Sequence, residues 1–125
     1  MTLFEECQEA VSADFGIVED QQKKEVVDIF NKYPFESGAI LWSRIEYYDY
    51  EDIDSLLNVN LMENVNVFVL ADDENIPIFR ANLSLIAENI YAVTALSPKL
   101  FIFNDEIILQ PLFPTERFRL GIRSK

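Results

Sequence analysis

From residue 65 the apolar period of this chain changes, and the change narrows the folds open to it. Val65, Val67 and Val69 alternate with Asn66, Phe68 and Leu70. That is the two-residue period of a strand, and the largely apolar character of both sets predicts a strand largely buried on both faces over 65–71. Leu100–Phe103 and Glu106–Leu109 flank Asn104-Asp105, two turn-formers between two β-rich runs, which predicts a hairpin. Phe118, Leu120 and Ile122 alternate with Arg117, Arg119 and Gly121, a strand with a basic outer face. Asp72–Asn75 reads as a turn and Ile76–Phe79 as a short extended piece. Asn82 or Ser84 then starts a long helix whose apolar stripe is Leu83, Ile86, Ala87 and Ile90.

Before residue 65 the period is helical. Thr2-Leu3-Phe4-Glu5 has the form of a capping box, and Leu3, Phe4, Cys7, Ala10 and Val11 recur at helical spacing, predicting a helix over 3–13. A second helix is expected over 19–33, with Val26, Ile29, Phe30 and Tyr33 on its inward stripe, Lys32 in its last turn and Pro34 as its stop. An apolar stretch from Ala39 to about Tyr47 reads as a strand or buried extended segment. Asp49 is placed to cap a short helix over 50–57 that turns Ile53, Leu56 and Leu57 inward. The expected fold class is α+β, with N-terminal helices packed on a small, mainly antiparallel sheet, in one domain spanning residues 1–125.

Composition excludes several kinds of function. The 125 residues include no histidine, so an imidazole base, a Ser-His or Cys-His nucleophile pair and a histidine metal ligand are all ruled out. A lone cysteine excludes an internal disulfide framework and a multi-cysteine zinc site, and its place on the apolar stripe reads as a small buried hydrophobe. The three glycines form no phosphate-cradling loop. The opening residues lack a basic n-region, and no apolar run is long enough to span a bilayer, so a cytoplasmic, non-membrane protein is expected. No catalytic motif, cofactor or metal is expected.

The net charge of −12 argues against nucleic acid or an anionic membrane as a direct partner. It is unevenly spread. Residues 1–75 hold 18 acids and 4 bases, net −14, whereas residues 76–125 hold 4 acids and 6 bases, net +2. The acids peak at 46–54, where Glu46, Asp49, Glu51, Asp52 and Asp54 surround Tyr47, Tyr48 and Tyr50. An EF-hand starting at Asp49 would need glycine at its sixth position and glutamate at its twelfth, and these are Asp54 and Asn60. The run makes better sense as a partner-binding surface. Tyrosine offers rigid contact area with a polar tip, and the acids draw in a basic partner. Alternation along an extended segment nevertheless turns one or two of the tyrosines into the core. The loop acids Glu36, Asp72, Asp73 and Glu74 are second-tier candidates.

The order of several segments adds a resemblance. Tyr33-Pro34-Phe35 with Gly38–Trp42, the strand Val65–Ala71, Ile76-Pro77-Ile78-Phe79 ahead of a helix, and the closing strands through Gly121-Ile122 span roughly two-thirds of the chain. In these segments it resembles the immunity proteins of bacterial contact-dependent growth inhibition (CDI) systems. The resemblance implies a small cytoplasmic protein without enzymatic activity. Such a protein binds the C-terminal toxin domain of a cognate exported protein, often a nuclease, and blocks it. No catalytic residues carry over from it. Together with the charge, it predicts neutralisation of a basic nuclease toxin by covering its active site or substrate groove. The alternatives are an acidic cytoplasmic adaptor or regulatory domain binding another protein, and a metal-dependent hydrolase built on the acids.

Overall fold

A computed structural model of the protein describes residues 2–60 and 65–123. Its centre is a seven-stranded sheet in which every neighbouring pair runs antiparallel. In chain order the strands are β1 (Phe15–Ile17), the small separate hairpin β2 (Phe35–Glu36) and β3 (Ala39–Ile40), β4 (Glu46–Tyr50), β5 (Asn66–Ala71), β6 (Phe79–Asn82), β7 (Leu100–Phe103), β8 (Ile107–Pro111) and β9 (Phe118–Ile122). The spatial order across the sheet is β1-β6-β5-β7-β8-β9-β4, so β4 forms one edge. The expected α+β class is correct.

The period-two pattern sorts the core into two halves, because successive side chains of a strand point to opposite faces. Val67, Val69, Leu100, Ile102, Ile107 and Leu109 point to one face. It is covered by α1 (Leu3–Ala10), α3 (Ile53–Asn60), α4 (Leu83–Glu88) and α5 (Ile90–Thr94). Phe101, Phe103 and Ile108, with half-buried Phe68 and Leu70, point to the other face. Helix α2 (Asp20–Phe30), the β2–β3 hairpin and Trp42 cover it. The two N-terminal helices therefore lie on opposite sides of the sheet.

Local signals hold where they are strongest. Thr2 and Glu5 form the full capping box of α1, and Asn104 turns the β7–β8 hairpin by accepting from the backbone of Glu106 and Ile107. Other boundaries differ from expectation. The first helix ends at Ala10 and passes into a 3₁₀ turn over Ser12–Asp14, which delivers the chain to β1, a strand with no expected counterpart. The second helix stops at Phe30; Lys32 lies beyond it and reaches Asp105 at 3.4 Å. The expected long helix after Asn82 is two short ones, α4 and α5, joined at Asn89. Asn82 is the N-cap of the first, accepting from the Ser84 amide at 2.9 Å.

Candidate functional site: an acidic edge strand and the groove beside it

The densest acidic run folds differently from its expected form. Glu46–Tyr50 is the edge strand β4, paired with β9 from Glu46↔Ile122 to Tyr50↔Phe118. Helix α3 begins only at Ile53. Asp49 is therefore not its cap. Asp52 takes that role, accepting from the Ser55 amide at 2.8 Å, and this bond holds its carboxyl below the usual aspartate range. Ile53, Leu56 and Leu57 face the core as expected.

Strand alternation divides the tyrosines. Tyr50 is half-buried against the core on the α3 side, where its hydroxyl accepts from the Asn60 amide at 3.1 Å. Tyr47 and Tyr48 remain 42% and 47% exposed, on opposite faces of the strand. The Glu46 carboxylate two residues back holds the Tyr48 hydroxyl above its ordinary pKa.

Asp49 lies opposite Arg119 on β9 and receives two hydrogen bonds from its guanidinium, Nε to Oδ1 at 2.7 Å and Nη2 to Oδ2 at 3.0 Å. The same guanidinium sits over the rings of Tyr47 (4.6 Å) and Trp42 (5.4 Å), which themselves meet edge-on. The hydrogen bonds from Arg119 keep the Asp49 carboxyl below its ordinary pKa. Its charge is thus largely answered from within the chain. Glu46, Glu51 and Asp54 are exposed, and among the described residues no ion pair engages them.

Asp72, Asp73 and Glu74 are exposed in the turn after β5, and Glu36 is exposed on the small hairpin. The strand registers put the end of β5 and the end of β4 at the same end of the sheet. Four interstrand spacings separate them, about 19 Å at ~4.8 Å each. The structure therefore gathers residues 46–54 into one continuous surface and leaves the 72–74 acids apart from it. Among the described residues, no group of three or more acids or cysteines is placed to hold a metal ion.

A groove of about 620 Å³ opens where this acidic surface ends. Its walls are the start of α3, the α4–α5 segment and residues 111–116, the end of β8 and most of its connection to β9. Buried Ile53, Ala87 and Phe118 line it, and Tyr91 and Phe113, 70% and 69% exposed, stand along it. Four carboxylates line it as well, those of Asp52, Asp54, Glu88 and Glu116, with no lysine or arginine among the described lining residues. The Tyr91 hydroxyl donates to Glu116, tying α5 to the connection. Apart from Asp52 and Asp54, none of these residues stood out in the sequence as a binding residue, and Ile53, Ala87 and Phe118 were expected there only as core. The one available signal was an aromatic, Phe113, set between prolines in a polar connection.

An acidic, tyrosine-bearing edge strand beside an acid-lined groove suits a chain that works by binding another protein. The protein family described as "CdiI immunity protein EcoliA0-like" matches residues 1–121. The chain belongs to this family. It is a toxin-neutralising immunity protein whose partner is a cognate CDI toxin. Among curated proteins no match is found. Immunity proteins of this kind are generally non-enzymatic. Among the described residues, no helix of this immunity protein is long and apolar enough to cross a membrane.

Proposed function

We propose that the toxin neutralised by this immunity protein is a basic nuclease domain, and that the acidic surface around β4 covers its active site or substrate groove. The observation that carries this reading is the outward presentation of Glu46, Tyr47 and Tyr48 on edge strand β4 and of Glu51 and Asp54 just after it, while Arg119, across the ladder, is committed to Asp49. A nuclease must hold phosphates, so its substrate groove is cationic, and carboxylates compete for the same charges. The immunity protein itself acts in the cytoplasm as a single domain, by binding and not by catalysis. It makes no direct contact with nucleic acid.

Asp49 and Asp52 belong to this surface but support it from within, as strand partner and helix cap. The outer charges are therefore the ones to remove. The test is co-purification with the toxin domain encoded beside this chain, followed by a nuclease assay with and without it. The triple variant Glu46→Gln, Glu51→Gln, Asp54→Asn is expected to weaken inhibition about tenfold or more without loss of fold. Inhibition by the triple variant equal to that of the wild type would remove β4 from the interface. A cognate toxin domain with no nuclease activity would overturn the substrate class.

A further inference from the structure

We propose that the groove between α3, α5 and residues 111–116 is a docking slot for a protruding basic segment of the toxin, one carrying lysine or arginine next to an apolar side chain. The inference rests on the toxin-binding reading above and gives it a second point of contact.

Four features select that occupant. The groove's volume of about 620 Å³ falls within the ~300–1,000 Å³ of clefts that enclose a ligand. Its base is apolar, through Ile53, Ala87 and Phe118. Tyr91 and Phe113 are far more exposed than large aromatics on a closed surface need to be, and a buried aromatic is the commonest kind of interface anchor. The charge around this apolar slot has one sign. Asp52 accepts from the Ser55 amide at the start of α3, Asp54 stands in its first turn, and Glu88 and Glu116 line the other walls. A second copy of the chain is a poor occupant, because each brings a net charge of −12. An acidic or purely apolar segment would leave the four carboxylates unanswered. A basic segment with an apolar neighbour meets both the rim and the floor.

The groove adjoins the end of β4 through Asp52 and Asp54, so edge strand and slot form one surface. A toxin seated on β4 has this slot within reach of a loop or chain end.

The test is a titration of the purified toxin domain encoded beside this chain, at low and high salt, against three immunity variants. Tyr91→Ala with Phe113→Ala is expected to weaken binding about tenfold or more at both salt concentrations, as loss of two anchors does. Glu88→Gln with Glu116→Gln is expected to weaken it at low salt and to flatten the salt dependence. The third variant, Thr115→Cys carrying a fluorophore, reads occupancy directly, and buried Cys7 stays unlabelled. Its dye is expected to lose access to a soluble quencher when toxin is added. All these side chains are exposed, and melting curves recorded for each variant separate loss of binding from the loss of the Tyr91–Glu116 tie and the Thr115 turn bonds. Wild-type affinity in both double variants, or unchanged quenching of the labelled one, overturns the docking slot and leaves the toxin reading standing. If the wild-type chain itself fails to bind the toxin domain, both fall together. Assembly of the chain into dimers that the aromatic double variant dissolves would assign the groove to a second copy and overturn the proposal.

Discussion

Gly121 is where the absence of a side chain matters most. A Cβ built there would come within 2.9 Å of Trp42 Cζ3, 3.0 Å of Ile108 Cγ2 and 3.1 Å of Ile45 Cδ1. The bare backbone of β9 is what lets the indole settle against the sheet, and the indole in turn backs the Arg119 guanidinium. Gly121→Ala is expected to destabilise the protein by about 1–3 kcal/mol, the range for overpacking a filled site, as read from denaturant unfolding. Trp42 is the only tryptophan, so a shift of its emission in the folded variant reports the displacement directly. A variant with unchanged stability and emission would show that the indole moves aside at no cost.

At the scale of elements, β4 is one of the two edges of the sheet, paired on one side only. Three things hold it: its ladder to β9, the packing of Tyr50 beside α3, and the Asp49–Arg119 bridge. The bridge gives the edge a pH dependence whose sign follows from the shift. Arg119 depresses the Asp49 carboxyl in the folded state. Its contribution is therefore complete above the unfolded aspartate value of ~3.9 and disappears as the pH falls through the lower folded value. Asp49→Asn is expected to cost about 0.5–1 kcal/mol at pH 7, a small sum because the pair is solvent-screened. The gap between wild type and variant should close in unfolding curves taken below the ordinary aspartate range. A gap that persisted there would mean that the asparagine disturbs the ladder itself and not the ion pair.

Across the whole molecule, the −12 charge acts before any contact forms. A toxin domain with the proposed basic surface would be drawn in over a distance set by the Debye length, which shrinks from ~30 Å at 0.01 M salt to ~10 Å at 0.1 M. The association rate is accordingly expected to fall roughly tenfold over that range, with a smaller change in dissociation rate. Stopped-flow mixing at several salt concentrations measures both. A flat association rate would mean that the acids shape the bound complex without steering the encounter.

The sequence by itself determined the α+β class, the capping box at Thr2–Glu5, the buried strand around Val67 and Val69, and the Asn104 hairpin. It could do so because each depends on hydrogen bonds and periodicity within a few residues. It also marked 46–54 as the charged surface, since charge is additive and needs no fold to be counted. Strand β1 and the edge position of β4 were not legible in it, because a short or acidic strand forms only when a neighbour supplies its ladder. Nor was the exchange of roles between Asp49 and Asp52, which turns on Arg119 lying directly across from Asp49 though 70 residues away. Only the tertiary structure set α1 and α2 on opposite faces, for the sheet must bury both of its apolar sides at once. It alone drew Asp52, Tyr91 and Phe113 together around one groove, because that requires three distant segments to meet at the same end of the sheet.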